Sequence, residues 1–156
     1  MVPHLDRIVK QPVTKDDARQ AIFGSFDGLA SAIGMVAAVA ITGQIHTLVL
    51  AAVALAVGAA VSMAAGEWLS DPDASLHRAG VMGLATLIGS ALPALPFIVL
   101  ANTTAVLGCA LVTVGCGALI AELRPGTRGR SYGLTFGVLG VASVAAVGAS
   151  LVAGAL

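Results

Sequence analysis

The sequence predicts an all-α, polytopic membrane protein with five transmembrane helices. Three observations carry that reading. The 156 residues are 58% apolar and only 10% charged, with a mean hydropathy of +0.97. Soluble domains are about 25% charged, and a chain this short has too much surface per unit volume to hide so much apolar side chain from water. Apolar runs approaching the roughly 20 residues that cross a bilayer core as a helix recur five times. All eight Lys and Arg fall in three connecting segments that five crossings put on one side. The composition excludes an ordinary soluble domain, a disordered chain and a nucleic-acid binder. The formal net charge of zero singles out no partner.

A tail over 1–20 comes first, mostly polar, with Arg7, Lys10, Lys15 and Arg19, and with helix potential from Lys15. It is too polar to begin a signal peptide, and no small-residue cleavage pattern follows. The five-helix membrane domain then occupies 21–156. Its first span covers 21–42 and its second 46–68. The third, 79–100, ends in Pro93 and Pro96, which kink or stop a helix. The fourth covers 103–121 and carries Cys109 and Cys116. These thiols are seven apart on one helix face and read as small packing residues. The fifth covers 131–156. The runs are long and continuously apolar, unlike the short alternating segments of barrel strands.

Charge fixes the expected orientation. Besides the tail, only the connection after span two (Arg78) and the one after span four (Arg124, Arg128, Arg130) carry basic residues. The positive-inside rule makes that side the cytosol, with the N-terminus inside and the C-terminus outside. Four or six spans would split the basic residues between the two faces. Gly24/Gly28 and Gly133/Gly137 are G-x-x-x-G pairs, which let membrane helices approach closely. Each pair fits either packing within one chain or a homodimer seam.

Six of the eight acids lie in the cytosolic segments, and two, Asp27 and Glu67, lie within or at the edge of apolar spans. An intramembrane carboxylate is expensive and usually functional. From a rise of about 1.5 Å per residue, Asp27 sits roughly 9 Å inside the cytosolic edge and Glu67 about 6 Å inside. Met63, one turn deeper than Glu67 on the same face, comes out near the depth of Asp27. With helices one and two adjacent, Asp27, Met63 and Glu67 line one track, extended by Ser31 and Met35. Asp71 and Asp73, in the connection after span two, stand at its cytosolic mouth. Carboxylate oxygens suit hard divalent cations and a thioether suits softer ones, so the mixed set fits a borderline ion such as Fe²⁺. The same carboxylates can carry protons. Bland readings stand beside these. Glu67 is shallow enough to snorkel or pair with Arg78, and the methionines can be gap-fillers. His46, at the outer end of span two, and His4 and His77 read as surface groups. No enzyme motif is present, and no tightly bound cofactor is expected.

Gly24-Ser25-Phe26-Asp27-Gly28-Leu29-Ala30-Ser31 resembles the Gly-x-Asn-Asp-Gly-Leu-x-Ser start of the first helix in the vacuolar iron transporter family. Ser62-Met63-Ala64-Ala65-Gly66-Glu67-Trp68 resembles that family's second-helix signature, Ser-Met-Ala-x-Gly-Glu-Tyr. The third helix with its Pro-x-x-Pro ending, and a basic segment before a Gly-rich fifth helix, are similar too. The resemblance implies a five-helix protomer that forms a homodimer in lipid, with its cation path at the dimer interface. It implies export of Fe²⁺ or Mn²⁺ from the cytosol in exchange for protons, with Asp27, Met63 and Glu67 at the family's functional positions. Two departures are visible. Phe26 replaces the family's Asn, and the connection after span two is too short for the cytosolic helical metal-binding domain of well-studied members. The alternative is a non-transporting membrane scaffold or subunit that keeps the fold. A bacterial inner (plasma) membrane is the compositional expectation for its location.

Overall fold

The structure, a computed structural model, describes residues 15–42, 45–70, 75–100, 102–124 and 126–155. Its elements are α1 (Lys15–Thr42), α2 (Ile45–Ser70), α3 (Leu76–Ala91), a 3-10 turn (Leu92–Ala94), the short α4 (Pro96–Val99), α5 (Asn102–Leu123) and α6 (Arg128–Gly154). No strand occurs among the described residues. Five helical stretches are long and apolar enough to cross a membrane, with α3, the turn and α4 together forming the third. The expected all-helical, five-span architecture is what the chain adopts. The tail up to residue 14, and with it His4, lies outside the described residues, as do Asp71 and Asp73.

Helix ends follow local chemistry. Residue Lys15 opens α1 six positions before the first apolar run, with Asp16 and Asp17 in its first turn, where acids favour the positive end of the helix dipole. Ser75 caps α3, its hydroxyl accepting from the Arg78 backbone N–H at 3.2 Å. Pro93 and Pro96 break the third span as expected: neither has an N–H to continue the ladder, so the chain tightens through the 3-10 turn into α4. Between α5 and α6 the chain reverses at Gly126, whose φ of +140° lies where L side chains are strained. Arg128 Nε sits 3.3 Å from Glu122 Oε1 across this reversal.

Packing centres on α1, which touches α2, α3, α5 and α6. Its closest approach is to α3. A Cβ at Gly28 would lie 2.8 Å from the backbone N and the hydroxyl of Ser90, and one at Gly24 would lie 2.8 Å from Thr86 Oγ1. Reciprocally, a Cβ at Gly89 on α3 would lie 3.0 Å from Ser25 Cα. The Gly24/Gly28 pair is therefore an intramolecular seam. The Thr86 and Ser90 hydroxyls, fully buried in it, donate back to the carbonyls of Met82 and Thr86 at 2.9 and 2.8 Å. Self-satisfied in this way, they fill a dry seam without unpaired donors. Gly133 and Gly137 differ: an added Cβ at either meets nothing within 4 Å.

Two apolar clusters complete the interior. Toward one end, Leu29 packs with Ile120 and Leu139, and Ile22, Phe26, Ile33 and Cys116 close around them. Toward the other end, Val36, Leu48, Ala52, Ala94 and Cys109 pack together, with Met35 against them. Both thiols thus pack in the interior, as their shared face implied.

The seam yields a stability prediction. Gly28→Val forces α1 off α3 and lowers stability by about 1–3 kcal/mol, the usual cost of overpacking. Gly137→Ala meets open space and leaves the chain as stable or up to about 1 kcal/mol more so, since Ala favours a helix interior over Gly. Thermal unfolding of both variants in detergent checks the contrast.

Candidate functional site at the basic end of the bundle

The N-terminal end of α1, the C-terminal end of α2 and the N-terminal end of α3 converge at one end of the bundle. There, Gln20 of α1 donates from Nε2 to Glu67 Oε1 of α2 at 2.6 Å. Arg78 of α3 reaches the same carboxylate, with Nη2 3.2 Å from Oε1. The Glu67 side chain is only 12% exposed, so its charge is met by protein groups more than by water. Beside it, His77 Nε2 lies 3.5 Å from Asp17 Oδ1, and the Asp17 side chain is 8% exposed. A crevice of about 340 Å³ opens here, lined by Arg19, Gln20, Phe23, Glu67, Arg78 and Met82.

Local sequence explains why these groups meet. At 100° per residue, Gln20, Asp27 and Ser31 fall within about 40° of one another on α1. The Gln20–Glu67 bond places the head of this stripe against α2. On α2, Met63 sits one turn below Glu67. The Ser75 cap starts α3 so that Arg78 falls in its first turn, at the level of Glu67.

The structure relates the sequence-predicted residues as follows. Asp27 and Ser31 are half-buried on the α1 stripe and Met63 is half-buried on α2. Antiparallel α1 and α2 are registered by Gln20 against Glu67. At about 1.5 Å per residue, Asp27 then lies about 10 Å deeper than Gln20, and Met63 about 6 Å deeper than Glu67. The two were expected at one depth. The register sets Asp27 about one turn further in, because Glu67 stands level with Gln20, just ahead of the first apolar run. Met35 packs against the Val36–Leu48–Ala94 cluster, away from the polar end. Asp71 and Asp73, the expected entry ligands, lie outside the described residues. Among the described residues, no three His, Cys, Asp or Glu side chains gather where they could hold a metal ion.

Phe26, the departure from the family pattern, packs with Leu29, Ile120 and Leu139 on a different face of α1 from Asp27. The residue that sequence reasoning missed is Gln20. Its seven-residue spacing from Asp27, two helical turns on one face, was the available signal. Pairing of Glu67 with Arg78, weighed from depth alone, is present.

Five apolar spans make the chain an integral membrane protein in contact with lipid. The first span carries an acid, Asp27, and the polar end of the second carries Glu67 beside Gln20 and Arg78, charged groups that are expensive to keep in such a fold. Residues 18–74 match the model of the VIT family. The matched stretch runs from the first turns of α1 through the end of α2 and includes Asp27, Met63 and Glu67. The match suggests a metal-ion transporter in general. No curated protein and no solved structure matches the chain significantly.

The Gln20–Glu67–Arg78 junction predicts strong coupling. Arg78→Gln strands a largely buried carboxylate and costs about 1–3 kcal/mol. The double variant Arg78→Gln/Glu67→Gln recovers most of that loss, because the uncompensated charge disappears with its partner. Thermal unfolding of the two single variants and the double variant in detergent measures the coupling.

Proposed function

We propose that the chain exports divalent cations, Fe²⁺ or Mn²⁺, from the cytosol in exchange for protons, along a path that two copies complete at a homodimer interface. The observation that carries this reading is Asp27: a half-buried carboxylate inside an apolar span, on the same α1 stripe as the Gln20–Glu67 contact. An acid held there without a use is costly. The VIT-family match over 18–74, which contains this acid and Glu67, supports a metal ion as the solute.

The geometry suggests how the steps divide. The basic end is the cytosolic end by the positive-inside rule. Arg78 is the resident counter-charge of Glu67. A divalent cation entering the crevice replaces the guanidinium as the partner of Glu67. It then moves about two turns inward to Asp27, past Met63, whose thioether favours a borderline ion over Ca²⁺. Two copies supply four carboxylates from Asp27 and Glu67. Protons arriving from the opposite side neutralise them and release the ion. A single chain gathers no complete ligand set among its described residues, so this reading requires the second copy or the 71–74 connection.

The competing reading is a non-transporting scaffold or subunit that keeps the fold, and transport assays separate the two. Proteoliposomes with an imposed pH gradient are offered Fe²⁺, Mn²⁺, Zn²⁺ and Ca²⁺. Gradient-dependent Fe²⁺ or Mn²⁺ flux is expected from the native chain. Asp27→Asn is expected to reduce that flux to the level of empty liposomes. Absence of flux for every ion from folded protein overturns the exporter reading in favour of the scaffold.

A further inference from the structure

A second and larger cleft, about 830 Å³, lies at the same end of the bundle on the other side of α1, between α1, α5 and α6. Its rim carries three cations, Lys15 and Arg19 from α1 and Arg124 from the end of α5, against one acid, Asp16. Lys15 and Arg19 are one turn apart, and Ile22 and Phe26 continue the same face inward. Phe26 lies about 10 Å below Arg19 by helix rise. Ile120 of α5 and Val138 of α6 complete an apolar floor. The cleft therefore changes from cationic to apolar over the distance that separates a phospholipid's head group from its upper acyl chains.

The charge distribution of this end of the molecule sharpens the point. Arg78 is held by Glu67 and Arg128 by Glu122. None of the three rim cations makes an ion pair with an acid among the described residues. Basic pockets between membrane helices on the cytoplasmic side suit anionic head groups. A soluble phosphate would leave the apolar floor wet. A second copy docked by a two-fold axis would set one positive rim against another. We propose that this cleft binds an anionic phospholipid of the leaflet at the basic end, its phosphate held by Lys15, Arg19 and Arg124 and its acyl chain laid on Ile22, Phe26, Ile120 and Val138. This site shares Arg19 with the rim of the Glu67 crevice, whereas Lys15 and Arg124 line the larger cleft alone, and it does not depend on the transport reading, only on the chain lying in a bilayer.

The full chain in detergent is titrated with phosphatidylglycerol and with phosphatidylcholine of the same acyl chains, and retained lipid is counted by native mass spectrometry. One phosphatidylglycerol per chain is expected to be retained in preference to phosphatidylcholine. Lys15→Gln/Arg124→Gln, which leaves the residues lining the Glu67 crevice intact, is expected to weaken that binding about 25-fold, from about fivefold per cation. Arg130→Gln, a cation that does not line the cleft, is expected to change nothing. Equal retention of both lipids, or an equal loss in Arg130→Gln, overturns the proposal. Displacement of the lipid by millimolar glycerol phosphate overturns it in favour of a soluble phosphate. Loss of a dimer in the double variant without any lipid preference overturns it in favour of a second copy. A local measurement needs no charge variant. With Trp68→Phe and Leu123→Trp, at a residue that lines this cleft and not the Glu67 crevice, brominated phosphatidylglycerol is expected to quench the single tryptophan more than brominated phosphatidylcholine does, and equal quenching overturns the proposal.

Discussion

The close approach of α1 to α3 is the constraint on which the rest of the structure depends. Lipid gives helices no hydrophobic reason to associate, so backbone proximity and shape must supply the attraction. Gly24 and Gly28 let the backbone of α3 enter where side chains would otherwise stand, and Gly89 returns the same concession. Once that face of α1 is committed, the remaining faces follow from 3.6 residues per turn. Ile22, Phe26, Leu29 and Ile33 turn toward α5 and α6. Gln20 turns to α2, and Asp27 and Ser31 continue its stripe along α1. One glycine seam thus decides which acid can meet which neighbour, and a substitution that opened it would rotate the polar stripe as well as loosen the core.

Charge at the basic end is divided between two tasks. Some cations are consumed by acids: Arg78 by Glu67, and Arg128 by Glu122. These pairs differ in weight. Glu67 is nearly enclosed, so its partner matters. The Glu122–Arg128 pair stands largely in solvent, where such contacts contribute little. The remaining cations on the rim of the larger cleft have no such acid among the described residues. In a protein with so few charges, this division marks two surfaces on α1, one organised around a carboxylate and one around cations above an apolar floor.

Much of this was legible in the sequence, and the reasons differ by residue. The five spans were readable because hydropathy and span length act locally. The break at Pro93 and Pro96 was readable because proline removes a donor wherever it sits. Asp27 and Glu67 stood out because an acid in an apolar run is expensive regardless of fold. The role of each glycine pair was not readable. Gly24/Gly28 and Gly133/Gly137 have identical spacing, yet one pair is filled by α3 and the other faces open space. Only the arrangement of the helices distinguishes them. The relative depth of Met63 and Asp27 was also beyond reach, since it depends on which residue of α1 stands opposite Glu67. Gln20 was overlooked because an amide just outside an apolar run is unremarkable until its partner is known.

Phe26 shows how position on a helix changes the meaning of a substitution. Beside Asp27 in sequence, an aromatic ring in place of an amide reads as the loss of a polar group from a cation path. Adjacent residues on a helix, however, point 100° apart. Asp27 follows the stripe of Gln20, whereas Phe26 enters the cluster of Leu29, Ile120 and Leu139 and forms part of the floor of the larger cleft. The exchange therefore adds apolar area where α1 meets α5 and α6 and leaves the Asp27 stripe as polar as it was. The acid on that stripe and the ring on the neighbouring face are then independent features, each explained by what it touches. The departure at Phe26 does not itself weigh against a cation path at Asp27.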